Sequence, residues 1–415
     1  MPTKHKLSDF LTDHYSPQHL SELELFFEAH STLHMPQLPT GLFTAVSSMS
    51  QTSVTGYQDF WLRDNAMIAS SFLLRGDFAT AVNTMLGLNQ LLRSQEPRFR
   101  EIIRDPSKKE HIQDRPHVRF RSTGDSPAWS HAQNDALGSS LWLRFTLANA
   151  GKLDLDAADI EFYRLFPLYF AAIDYSNDAD SGAWEEDRKV NSSSVGAVVA
   201  GLRQMQTWLH AHKTYGDIAI RECVDTQIQR GTNRLQQYLP FESPPARYAD
   251  AATLLLIHPA QVLSREQENS VLQLIQRDLV RDIGILRYVG DSYYGQDYPD
   301  WFSEDQLTGD FSERIELRDA KLRPGFEAQW CLFDSLLSLI YGKRFLSCAF
   351  DDDRATQTHF FNRSLKQLTP DVQCPELYFS RHGAWVPNPQ TPLAWAQANL
   401  ALALEYMKRS ARLIT

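Results

Sequence analysis

A chain of 415 residues with 43% hydrophobic, 22% charged and 11% aromatic residues has enough apolar side chain to build a core, which excludes a largely disordered chain or a low-complexity fibre. The 41 Lys and Arg against 51 Asp and Glu give a formal charge of -10, which repels phosphate backbones and leaves no basic footprint for nucleic acid or anionic lipid. No apolar run is long enough to span a bilayer.

The opening segment, Met1 to Phe10, has no apolar h-region and no small-residue cleavage site. Cys223, Cys331, Cys348 and Cys374 fall in no tight spacing and are expected as buried reduced thiols, so the sequence points to a cytoplasmic protein. Beyond the opening, helical periodicity dominates. From Trp61 to Leu92 apolar residues recur at three- and four-residue steps, Met67, Ile68, Phe72 and Leu73 and then Ala81, Met85, Leu88 and Leu92. The break at Gly76-Asp77 divides this stretch into a predicted helix pair. Similar patterns predict helices over Asp135–Ala150, Asp156–Tyr175, Ser192–His212, Asp217–Leu239 and Arg247–Ile257. They continue over Arg265–Asp282, with a capping box at Ser264, and over Phe326–Phe345, Thr356–Leu368 and Pro392–Arg409. Only Ile283–Tyr288 and Leu377–Trp385 alternate as short strands do.

Helices in this number, joined by uneven loops without a Pro/Ser/Gly-rich linker, predict one all-helical domain over residues 1–415. A solenoid is disfavoured because no fixed period repeats. The longest irregular stretches, Phe99–Ser130 and Gly290–Pro324, are too polar and aromatic to be plain connectors.

Five places are dense in Trp, Asp, Glu, Arg and Gln: Tyr57 to Asp64, Trp129 to Asp135, Asp180 to Glu186, Arg287-Tyr288 with Asp291, Tyr293 and Tyr294, and Pro375-Glu376-Leu377-Tyr378. Acidic groups at helix starts also serve as caps. Together, though, indole rings beside carboxylates and guanidinium groups suit a carbohydrate: rings stack on C–H faces and charged forks bond adjacent hydroxyls. Cleaving a glycosidic bond requires one carboxylic acid to protonate the leaving oxygen and one carboxylate to activate water or attack carbon. Glu185 and Glu376 are the candidates.

The motifs Trp61-Leu62-Arg63-Asp64, Trp129-x-x-x-Gln133-x-Asp135, Asp180-Ser181-Gly182-x-Trp184-Glu185-Glu186, Arg287-Tyr288 and Glu376-x-Tyr378, in this order, resemble the glucoamylase-like glycoside hydrolase family fifteen over about Tyr57 to Tyr406. Asn191 to Gly196 and the Pro375 and Pro392 segments look closer to the glucoamylase-like domain of the phosphorylase kinase alpha and beta regulatory subunits. The resemblance implies an (α/α)6 barrel with long active-site loops, no cofactor and no metal. It implies Glu185 as general acid and Glu376 as general base of an inverting mechanism. Arg63, Asp64 and Arg287 are expected to grip the terminal glucose, Glu186 to touch substrate, Trp61, Trp129 and Trp184 to wall the pocket, and Tyr57 to lie at its edge. Gln133 and Asp135 match the motif and are expected to hold Trp129. Trp142, Trp208 and Trp330 are core candidates.

The leading reading is an exo-acting α-glucosidase acting on α-glucans or maltooligosaccharides. Its alternatives are a glucan-sensing module with little turnover and a hydrolase of trehalose or another α-glucoside. Glu185 is expected to stay protonated through burial and the neighbouring Glu186, with Glu376 ionised. Arg188 and Lys189 are the cations expected to threaten that arrangement. Elsewhere, Glu327 reads as a first-turn acid of a helix, Asp351-Asp352-Asp353 as a solvated helix entrance, Asp174 to Gly182 as no calcium loop, and His210 with His212 as a surface pair.

Overall fold

The computed structural model describes residues 6–46, 56–213, 215 and 217–414, so Met1 to His5 of the opening segment lie outside the described residues. The described helices are α1 (Pro17–His30), α2 (Leu62–Arg75), α3 (Phe78–Ser94), α4 (Glu96–Arg104), α5 (Asn134–Asn149), α6 (Ala157–Tyr163), α7 (Leu165–Ala172) and α8 (Ser192–Ala211). They continue as α9 (Ile218–Tyr238), α10 (Leu254–Ile257), α11 (Arg265–Asp278), α12 (Ile315–Asp319), α13 (Leu332–Cys348), α14 (Asp351–Lys366) and α15 (Ala394–Ile414). Strands are minor: β1 (Phe60–Trp61) pairs with β2 (Arg119–Phe120), and β3 (Gln329–Trp330), β4 (Leu377–Arg381) and β5 (Ala384–Pro387) form an antiparallel sheet in that order.

The helices close a double ring. In the inner layer α2 packs on α5, α5 on α8, α8 on α10, α10 on α13, α13 on α15, and α15 returns to α2. Outside them α3 lies on α2, α9 on α8, α11 on α10, α14 on α13 and α1 on α15. α6 covers α5, with Tyr163 edge-on to Phe145 at 5.8 Å, and α7 packs on α4 and α9. This is the (α/α)6 arrangement. A helix between two layers has no solvent face, which is why α5 and α13 are buried on every side.

Local signals set the ends. Gly76 closes α2 in the left-handed region, at φ 88°, and the Asp77 carboxylate accepts from Thr80 N at 3.1 Å to start α3. Ser264 and Gln267 form the reciprocal capping box that starts α11. α5 and α8 approach closely because small residues face each other: a methyl at Gly138 would meet the Ala197 and Val198 backbone at 2.5 Å.

Several predicted elements differ. α1 was not among them, although Ser16 caps it through His19 N and Pro17 occupies its first turn. α4 runs from Glu96 into the stretch read as irregular from Phe99, and buries Phe99 and Ile102. The segment predicted as a helix from Arg247 is helical only near its end, because Arg247 and Asp250 are drawn into ion pairs beneath the pocket. β3 precedes α13, so Glu327 is not a first-turn acid. Its carboxylate accepts from Gly290 N at 3.0 Å and Gly325 N at 2.9 Å, fastening the two ends of a long loop. Of the cysteines, Cys331 and Cys374 are buried, Cys223 is partly buried and Cys348 is exposed. Asp351 to Asp353 do open α14, but Asp353 is buried against Arg344 rather than solvated. Ile283 to Tyr288 make isolated bridges only, Ile285 to Trp330 among them.

Because the atoms facing Gly138 are backbone and cannot rotate away, Gly138→Ala is expected to lower stability by about 2 kcal/mol, in the range for overpacking a tight interface. Urea denaturation of the two proteins measures it, and an unchanged midpoint would show that the ring can dilate there.

Candidate active site

The side chains singled out in the sequence come together at the end of the ring where α2, α5, α8 and α13 begin. A pocket of about 870 Å³, its open mouth included, is lined by Tyr57, Trp61, Arg63, Asp64, Trp129, Trp184, Glu185, Arg287 and Glu376 among others. Arg63 and Asp64 occupy the first turn of α2, with Trp61 as its cap residue. Trp61 pairs with Arg119 across β1 and β2, and the Arg119 guanidinium lies over the rings of Trp61 (5.0 Å) and Trp129 (4.2 Å). The two indoles meet edge to face at 5.5 Å.

Glu185 projects from a loop whose ends are tied by paired backbone bonds between Asp180 and Lys189. Asp180 is fully buried, and its carboxylate accepts from Asn134 N at 2.8 Å at the start of α5 and from Asn191 at 2.8 Å. Glu185 sits at φ 60°, a left-handed conformation that a non-glycine residue adopts at a cost of order 1–3 kcal/mol. Trp184 is fixed by its Nε1–H to Asp250 at 2.8 Å. Glu376 directly precedes β4. Its carboxylate accepts from Tyr57 Oη at 2.7 Å and from the Asn388 amide.

Electrostatically the two acids start alike and differ in company. Burial pushes Glu185 up to about 7, against the pull of Arg63 and with help from Asp64. Arg63 Nη2 donates to Glu185 at 2.6 Å. The cation that moderates Glu185 is therefore Arg63. Lys189 is paired with Asp187, and Arg188 is exposed. The anion that assists burial is Asp64 rather than the adjacent Glu186. Burial also pushes Glu376 up to about 7, against the two hydrogen bonds from Tyr57 and Asn388. The expected contrast in acidity is thus absent without substrate; what distinguishes the pair is a guanidinium on Glu185 and neutral donors on Glu376.

Three of the expected contacts lie behind the pocket. Gln133 Oε1 and Asp135 Oδ2 each accept from Arg63 Nη1 at 3.0 Å, so they hold Arg63 and not Trp129. Glu186, expected to touch substrate, is only 2% exposed. It accepts from Arg287 at 3.0 Å, Arg247 at 2.9 Å, Tyr288 and Arg318, and spends its oxygens there. Burial alone would raise Glu186, but the three guanidiniums overcome it and hold the carboxyl below its ordinary range.

Further residues line the pocket that the sequence left unassigned or placed elsewhere. Trp330, read as core, forms a wall, with Trp184 at 6.0 Å and the Arg287 guanidinium at 4.8 Å from its ring. Tyr293 bonds the Tyr57 hydroxyl at 3.0 Å, and Trp395, Phe311 and Arg318 complete the lining. Tyr293 and Trp395 lay within quoted motifs, so their aromatic character was a usable signal. Arg318 and Phe311 carried none, being in a long loop without periodicity. Among the described residues, the Nε1 atoms of Trp129 and Trp330 are buried without a hydrogen-bond partner.

A helical ring holding two buried carboxyl groups over an aromatic pocket defines the chain as a glycosidase of the glucoamylase-like fold. The family itself is specific: residues 25–297 match the glycosyl hydrolases family 15, and the chain belongs to that family. Among solved structures, a wild-type glycosidase superposes with a TM-score of 0.68 at 18% identity, covering 95% of this chain and 99% of that one. The glucoamylase from Saccharomycopsis fibuligera superposes with a TM-score of 0.62 at 14% identity, covering 98% of each chain. A bacterial glucoamylase complexed with acarbose gives 0.58 at 16% identity, covering 90% of this chain and 53% of that one. At such identities these likenesses establish the fold. The uncharacterized lipoprotein YgeQ of Escherichia coli (strain K12) is 25% identical over 174 residues, 36% of this chain, and this chain spans 64% of that relative. Among the described residues no helix is long and apolar enough to cross a membrane.

Burial pushes Glu376 in the folded protein up to about 7, above the ordinary 4.5. A raised carboxyl contributes stability that is full below the ordinary value and is lost as pH rises through the folded one. Glu376→Gln removes that loss, so relative to wild type it should gain about 3 kcal/mol between pH 4 and pH 8, from the 1.36 kcal/mol per pKa unit. Urea denaturation at both pH values tests this; a constant difference would mean that Glu376 is not held against its burial.

Proposed function

We infer that the protein is an exo-acting, inverting α-glucosidase of the glucoamylase type, removing glucose from the non-reducing ends of α-glucans or maltooligosaccharides. The observation that carries this reading is the pairing of Glu185 and Glu376 in one aromatic pocket, each at near-neutral acidity and in unlike company. Glu185, relieved of Arg63 when sugar hydroxyls take that guanidinium, protonates the glycosidic oxygen. Glu376 accepts a proton from water as its oxygen attacks the anomeric carbon, and the Tyr57 and Asn388 donors keep the carboxylate aimed and ionised. Arg63, Asp64 and Arg287 bond hydroxyls of the terminal glucose, with Trp61, Trp129 and Trp184 against its C–H faces. Four unpaired cysteines support a reducing, cytoplasmic compartment.

A second reading, a glucan-binding module with little turnover like the phosphorylase kinase subunits, draws support from one contact: Arg63 holds Glu185 toward the ionised form that cannot donate a proton. Kinetics separate the two. With both acids near 7, only molecules carrying a protonated Glu185 and an ionised Glu376 react. The rate kcat/KM on maltotetraose should therefore follow a narrow bell centred near pH 7, falling about tenfold per pH unit on each limb. Glu376→Gln should lower kcat by about 10² to 10⁴, the span of general base catalysis. A profile flat from pH 4 to pH 9 would refute the division of roles, and saturable glucan binding without glucose release would favour the binding module.

A further inference from the structure

Away from the catalytic pocket, at the far end of α13, lies a second cleft of about 720 Å³ that is open to solvent. Its walls are the residues after α10, the start of α11 and the last turns of α13. Leu332 at the head of α13 lines the catalytic pocket, and Lys343 lies eleven residues on, about 16 Å along the helix axis at 1.5 Å per residue. The two sites are therefore separate.

Most of the charge in this cleft is already matched. Arg265 reaches Glu268 and Asp353, both at 3.5 Å, and Arg344 reaches Asp353 at 3.2 Å and Glu268 at 3.9 Å. Two guanidiniums and two carboxylates cancel, and Lys343 is left over. It is half-buried, and among the described residues its ammonium makes neither a hydrogen bond nor an ion pair. Burial pushes its ammonium down while Glu268 opposes the shift. His258, 3% exposed, lines the same cleft, and its Nδ1 is buried without a hydrogen-bond partner among the described residues. A buried, unbonded ring nitrogen costs of order 1–3 kcal/mol unless a ligand or water satisfies it. Burial and the Lys343 charge hold His258 well below its ordinary value, which favours the neutral ring, and the tautomer with hydrogen on Nδ1 offers a donor there.

We propose that this cleft binds a phosphate group, free or carried on a small metabolite, between Lys343 and His258. One anion with several acceptor oxygens satisfies both unspent groups at once and neutralises the surplus cation, which a neutral sugar does not. Ser347 and Gln261 line the remaining space, which exceeds what a bare phosphate fills. This site does not depend on the reaction assigned to the catalytic pocket.

The test is a thermal-shift and calorimetric titration of the full chain with inorganic phosphate and, separately, glucose 6-phosphate, at ionic strength held constant with sodium chloride. Saturable binding that Lys343→Met weakens at least tenfold and Lys343→Arg largely keeps supports the site, as does a shift of the His258 ring ¹⁵N resonances on phosphate addition. Tighter binding of the sugar phosphate assigns a carried group; equal affinities assign the free anion. His258→Gln serves as the second variant if Lys343→Met is poorly folded. No effect beyond that of chloride, or equal affinity in wild type and Lys343→Met, would overturn the proposal.

Discussion

A single buried carboxylate organises the floor of the pocket. Glu186 collects Arg247, Arg287, Arg318 and Tyr288 from separate segments of chain, while Asp250 and Asp291 pair with Arg247 and Arg287. Three acids and three guanidiniums balance in a region with little water. Such a cluster contributes little net stability, because desolvation offsets most of the attraction, but breaking one member leaves buried charge uncompensated at a cost of about 3–5 kcal/mol. Its effect is on position. Asp250, held there by Arg247, anchors the Trp184 ring, and the Arg287 guanidinium lies against both Trp184 and Trp330. Arg318 fastens the loop that brings Phe311 into the wall.

A second buried cluster orders the opposite wall. Arg63 lies between Gln133, Asp135 and Glu185, which links the start of α2 to the start of α5 and to the loop bearing the acid. Loops at the starts of inner helices are anchored by rigid elements on both sides, which suits a site whose groups must stay within fractions of an ångström. The two acids gain their elevated proton affinity from the same burial that the ring enforces, and Tyr57 and Asn388 then bias Glu376 toward its charged form.

Much of this was legible from residues. Periodicity revealed most ring helices because a helix sandwiched between layers must be apolar at regular steps, and the Gly76-Asp77 break marked a true cap. Of the twelve candidate site residues, nine line one pocket. What escaped notice had physical causes. Arg247 to Ile257 looked helical, but ion pairing to Glu186 outcompeted local propensity. Glu186 was assigned to substrate because a carboxylate beside a candidate acid reads the same whether it faces a cavity or three arginines. Trp330 is core as expected, but its second part as a pocket wall had no alternation on a two-residue strand to reveal it. Phe311 and Arg318 reach the pocket only through the path of a long loop, which spacing does not encode.

The claim at the centre of this account is that Glu376 directs water to the face of the sugar opposite the bond that Glu185 protonates. Proton NMR of the first glucose released from maltotetraose, recorded before mutarotation, measures this directly. The account predicts the β-anomer from an α-linked substrate. Initial release of α-glucose would mean a covalent intermediate and a nucleophilic carboxylate, and would contradict it.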